Sequence, residues 1–145
     1  MNNYILLLFA VAFSMQSFTS PKKELKDRVE AFLELSVSVS DNSKEEIERI
    51  KTFLEPSEDQ EKTATVLFQM WHRELKTFGK QKKKIIKVTF LNKSQMAFVD
   101  VSIERTVPIK DAKKKGATKK EYLTMKATWK LVNGHWMQRT KVYAK

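Results

Sequence analysis

The sequence predicts an α+β domain, with helices first and a curved antiparallel sheet after them, and three observations carry this. Up to Phe78 apolar residues recur at helical spacing. From Lys84 onward the period changes to two. Near the end, Asn133-Gly134 separates two alternating runs and reads as a tight hairpin, because both central residues of a type I′ turn need positive φ. Helices and then a meander with one apolar face give an α+β layer arrangement.

The first twenty residues carry no charged side chain, and Tyr4 to Phe13 is an unbroken apolar run. Ten residues suit the core of an export signal, whereas a spanning helix needs about 20. No Lys or Arg precedes the run, so only the terminal amine is positive there. Ala12-Phe13-Ser14 offers small residues at cleavage spacing, and a mature N-terminus between Met15 and Pro21 is expected. Residues 1–20 are thus read as a signal peptide and 21–145 as a single domain of an exported protein, periplasmic or secreted.

Ser20-Pro21 is a helix start, with Pro at the first helical position. Leu25, Val29, Phe32 and Leu33 mark its inner face, and the spacing lets the helix stop anywhere from Leu35 to Val39. Ser43-Lys44-Glu45-Glu46 reads as a capping box, with Ile47, Ile50, Phe53 and Leu54 next on one face and Pro56 closing the helix. A third helix is predicted from Ser57 or Asp59 to Phe78, with Gly79 beyond it. Leu67, Met70, Trp71, Glu74 and Phe78 share its inner stripe, flanked by Phe68, His72 and Leu75.

Ile86, Val88 and Phe90 alternate in a first strand. After an Asn92-Lys93 turn, Ala97, Val99, Val101 and Ile103 alternate in a second. The basic loop Lys110 to Lys120 leads to Leu123, Met125, Ala127, Trp129 and Leu131 in a third. The Asn133-Gly134 turn then places Leu131 opposite Trp136, Trp129 opposite Gln138, Ala127 opposite Thr140 and Met125 opposite Val142.

The stretch Ala127-Thr128-Trp129-Lys130-Leu131-Val132-Asn133-Gly134-His135-Trp136-Met137 resembles the closing hairpin of nuclear transport factor 2-like (SnoaL-like) domains, and helices before a curved sheet are similar too. The resemblance implies a cone-like fold around an apolar pocket, in a superfamily that holds dehydratases, isomerases and exported proteins without known activity. Its enzymes use an Asp–His pair in the pocket. Here Asp100 falls on the strand face opposite Val99 and Val101, and His135 sits at a turn, so the match favours a module without catalytic residues.

The pocket candidates are Trp71, Trp129, Trp136, Gln138 and Thr140, since ligand sites are mostly apolar with a few placed polar groups. His72 joins them as the available base. No Cys is present and there are only two His, which removes disulfides, thiolate chemistry and histidine-built metal sites; no cofactor is expected.

Charge is the more specific signal. Residues 1–61 hold 7 basic and 12 acidic side chains, whereas residues 62–145 hold 21 and 5. In an up-and-down meander Lys82, Lys83 and Lys84 share one end of the sheet with Lys113, Lys114 and Lys115, and are expected to form one basic pole that attracts anions. The partners this pattern fits are an anionic envelope or membrane surface and a small apolar ligand, and a homodimer is compatible with it. Nucleic acid is disfavoured, because no aromatic residue interleaves the 110–120 loop. The leading reading is an exported, non-catalytic ligand-binding or interaction module with an apolar pocket and a basic pole; the alternatives are a small pocket-type lyase or isomerase, and a charge-driven binder of anionic envelope polymers or of a membrane surface. Asn92-Lys93-Ser94 is a glycosylation sequon, meaningful only in a eukaryotic secretory route.

Overall fold

A computed structural model describes residues 20–140. The expected signal peptide and its cleavage site, and the pairing of Met125 with Val142, lie outside the described residues. Three helices cover one face of a four-stranded antiparallel sheet, as the sequence predicts.

Helix α1 spans Pro21–Ser36. The Ser20 hydroxyl accepts from the Lys23 amide at 3.2 Å, and Pro21 needs no partner for a missing N–H. Its buried residues are Leu25, Val29, Phe32, Leu33 and Ser36. Helix α2 spans Ser43–Lys51, one residue out of phase with the expected capping box. Asn42, not Ser43, is the cap: its side-chain oxygen accepts from the Glu45 amide, and its Nδ2 donates to the Glu45 carboxylate at 3.2 Å. An Asn is as good a cap as a Ser. The shift leaves Glu46 to turn inward, where its Oε1 accepts from Ser40 at 3.0 Å.

Phe53 and Leu54 do not continue α2. The chain extends beside the sheet instead: the Gln138 amide donates to the Phe53 carbonyl at 2.7 Å, and the Glu55 amide donates to the Gln138 carbonyl at 2.9 Å. Helix α3 spans Gln60–Phe78 and ends at Gly79, whose φ of 69° is readily reached without a Cβ. Its buried residues are Ala64, Phe68 and Trp71; of the predicted stripe Trp71 is buried and Leu67 packs half-buried against the core, whereas Met70 is exposed.

The strands are β1 (Lys82–Leu91), β2 (Met96–Pro108), β3 (Thr118–Val132) and β4 (His135–Gln138), in that order across the sheet. Val88 faces Val99, Ala97 faces Trp129, and Trp129 faces Gln138. Ala97, Val99, Val101, Trp129 and Trp136 are buried against the helices. Phe32 of α1 is the hub: its ring lies 5.1 Å from Trp71, 5.4 Å from Trp129 and 5.4 Å from Phe53. Edge-to-face contacts of this kind add to the burial term.

Strand β1 departs from simple alternation. Ile85 pairs with Val101 and Lys87 with Asp100, so Ile86 is the extra residue of a bulge and points to solvent at 53% exposure. A bulge bends its strand and reverses the facing of the residues beyond it. Ile85, Val88 and Phe90, not Ile86, therefore pack on the core. Ile86→Ala is expected to change stability by less than about 0.5 kcal/mol, as exposed sites do. Ile85→Ala is expected to cost about 2 kcal/mol, and paired denaturant titrations separate the two. Equal losses would remove the bulge.

Candidate binding surfaces

The aromatic candidates are core residues. Trp71, Trp129 and Trp136 are 3%, 1% and 2% exposed and fill the space between sheet and helices. Trp136 lines a cleft with Arg28, Asp27 and Met137. Gln138 is held by its backbone pairing with Phe53 and Glu55. Thr140 is buried, its amide donating to Glu55 at 3.0 Å and its hydroxyl 2.7 Å from Ser57. The indole N–H groups of Trp129 and Trp136 and the side-chain oxygen of Gln138 are buried without a hydrogen-bond partner among the described residues. They are neighbours in the β3–β4 register.

His72 flanks the inner stripe of α3. Its Nε2 is 2.6 Å from a carboxylate oxygen of Asp41, and its ring stacks on Phe68. Asp100 is on the helix-free face, 3.9 Å from Lys126, as the alternation requires. An Asp–His pair thus exists, but between the α1–α2 connection and α3, with Asp41 91% exposed. Nothing in the sequence links residues 31 positions apart. The hydrogen bond from His72, then its charge, holds the Asp41 carboxyl below its ordinary value. A depressed folded-state value contributes stability that is present above the unfolded value, near pH 4, and lost as pH falls through the lower one. His72→Ala is expected to move the Asp41 carboxyl titration, monitored by NMR, upward towards its ordinary range; an unmoved titration would contradict the pairing.

The lysine candidates fall into three groups. Register puts Lys82 and Lys84 on the helix-free face and Lys83 on the helix side. The Lys83 side chain is 4% exposed, 3.9 Å from the Glu74 carboxylate and 5.8 Å from the centre of the Trp71 ring. Lys113, Lys114 and Lys115 are exposed in the loop between β2 and β3. The hairpin that carries that loop runs past the start of β1. Lys82 faces Glu104, and the β2–β3 pairing runs on to Pro108 opposite Thr118. Four more residues at about 3.3 Å each add roughly 13 Å before the loop starts. Direction places both segments at the same end of the sheet, and the inward turn of Lys83 takes it out of the expected pole.

The helix-free face is the larger basic surface. Lys82, Lys84 and Lys87 of β1 lie along one side of β2, and Lys120, Lys126 and Lys130 of β3 along the other. All six are exposed. The acidic residues between them are Glu104, 3.0 Å from Lys120, and Asp100. Phe98 lies beneath Lys126, and Tyr122 is 68% exposed. Hydrogen bonding to Lys120 holds the Glu104 carboxyl below its usual range. Among the described residues no element covers this face, and no three His, Asp or Glu side chains come together as a metal site.

Comparison with known proteins gives likenesses of arrangement only. No protein-family model matches the chain, and no curated protein does. Similar solved structures include a designed protein of the nuclear transport factor 2-like type, designated Rd1NTF2_05, at 14% identity and a TM-score of 0.48, covering 78% of this chain and 94% of that one. The intermembrane space region of chloroplast protein ARC6 is similar at 12% identity and a TM-score of 0.45, with 79% and 88% covered. A phenazine biosynthesis-related protein from Pseudomonas aeruginosa is similar at 11% identity and a TM-score of 0.44, with 82% and 79% covered.

Proposed function

We propose that the protein is an exported, non-catalytic interaction module that docks on anionic surfaces through the helix-free face of its sheet. The observation that carries this is the surplus of six lysines over two carboxylates on one open face. A lysine close to an anionic membrane surface contributes about 1 kcal/mol, so several acting together give useful affinity without a shaped pocket. Phe98 and Tyr122 supply apolar area between the charges. Lys113, Lys114 and Lys115 add a second contact at the hairpin tip. Export is part of the proposal and rests on the apolar run Tyr4 to Phe13. The pocket-based alternative has less support, because Trp71 and Trp129 are packed against Phe32, and Trp136 is buried against Phe90.

Sedimentation with phosphatidylglycerol vesicles tests this. Binding is expected at low salt and its loss towards 1 M, where the Debye length falls from about 10 Å at 0.1 M to about 3 Å. Vesicles of phosphatidylcholine alone are expected not to bind. Absence of binding to anionic vesicles at low salt would overturn the reading.

A further inference from the structure

A cleft of about 500 Å³ lies between α1 and the start of β1, at the edge of the sheet, where it shares Lys82 and Lys84 with the open face. Its apolar lining is Leu33, Val37 and Ile85, and Lys83 also lines it. Lys26, Lys80, Lys82 and Lys84 also line it, against Glu30 and Glu34. Lys80 reaches across to Glu34 at 3.4 Å, so one rim carboxylate is already partnered.

Lys83 is unusual among the lysines. An ammonium taken out of water needs a close counter-charge or several acceptors. Its carboxylate neighbour, Glu74, stands at 3.9 Å, beyond hydrogen-bond length, and also accepts from Gln81 at 3.4 Å. The Trp71 ring at 5.8 Å offers only a weak cation–π contact. Burial pushes the Lys83 amine below its usual range, with Glu74 pulling the other way. A buried cation with a loose partner, beside apolar side chains, matches one ligand chemistry: a carboxylate carrying an alkyl chain.

We propose that this cleft binds a small organic carboxylate, whose charged end pairs with Lys83 and whose chain lies on Leu33, Val37 and Ile85. The proposal does not depend on the docking of the sheet face. The adjacent indole of Trp71 makes the site self-reporting, because a carboxylate entering beside Lys83 changes its surroundings.

Titrating the full chain with decanoate below its micellar range, with tryptophan fluorescence and calorimetry as readouts, tests this. Saturable binding is expected, with decanol binding at least about tenfold more weakly, since a charge-assisted hydrogen bond is lost. Lys83→Met keeps the stem and removes the charge; it is expected to weaken decanoate about tenfold or more with an unchanged melting temperature. Should Lys83→Met unfold the chain, Lys83→Arg supplies the second variant. It keeps a cation but changes its shape, and is expected to retain binding at reduced affinity. Reversing Lys113, Lys114 and Lys115 is expected to leave decanoate binding unaltered while weakening vesicle binding, which separates the two sites. No saturable binding at millimolar decanoate, or equal binding by folded Lys83→Met and wild type, would overturn the proposal.

Discussion

Trp129→Ala is expected to cost about 3–5 kcal/mol in a denaturant titration, the range for truncating a large buried aromatic. The residue is 1% exposed and sits mid-sheet, with Ala97 on one side and Gln138 on the other. Its ring meets Phe32 at 86°, and Phe32 in turn meets Trp71 and Phe53. Removing it therefore loosens α1, α3 and β4 together. The space left cannot be refilled by Ala97, whose side chain is a single methyl. Relief of one unpartnered indole N–H offsets a little of the loss. A cost under about 1 kcal/mol would place Trp129 at the surface and break the β3 register.

Arg28→Ala is expected to cost about 2–4 kcal/mol, combining hydrogen bonds from a charged donor with a stacked cation. The guanidinium lies 4.2 Å from the centre of the Phe53 ring. Its Nε donates to the Trp136 carbonyl at 3.2 Å, and Nη2 donates to the Thr52 carbonyl. One side chain of α1 thus satisfies the end of α2 and the edge of β4 at once. An ammonium cannot stack flat and fork to two carbonyls, so Arg28→Lys is expected to recover little. By contrast Lys26→Ala, which removes an exposed pair to Glu30 at 4.0 Å, is expected to change stability by less than about 0.5 kcal/mol. Full rescue by Arg28→Lys would reduce Arg28 to a general positive charge.

The parts of this fold legible in the sequence are those written in local period and turn chemistry. Ser20-Pro21 marks a helix start because a cap and a Pro act within one turn. Asn133-Gly134 sets the β3–β4 register, with Trp129 opposite Gln138, because a two-residue turn leaves no slack. Val99 and Val101 alternate inward without interruption. The bulge at Ile86 is not legible, since Lys84-Ile85-Ile86-Lys87 supports either phase and only the pairing with Val101 decides it. The capping box slips by one because Asn42 and Ser43 are both good caps with a Glu three residues on.

The candidate surfaces are legible in charge but not in facing. The count of lysines after residue 62 announces a basic sheet half. Which lysines look outward depends on register, and Lys83 lies under the helices while Lys82 and Lys84 do not. The position of Lys113, Lys114 and Lys115 depends on how far β2 and β3 outrun β1, a length that sequence alternation leaves open. Asp41 and His72 meet only through the packing of α3 against the α1–α2 connection.

The most direct test of the docking account is lysine footprinting. Acetylation of the protein is compared with and without phosphatidylglycerol vesicles at low salt, and modified peptides are mapped by mass spectrometry. The account expects protection of Lys84, Lys87, Lys126 and Lys130 on the open sheet face, with Lys44 and Lys62 of the helical layer reacting as in free protein. Protection of Lys44 and Lys62 with the sheet lysines fully reactive would contradict it.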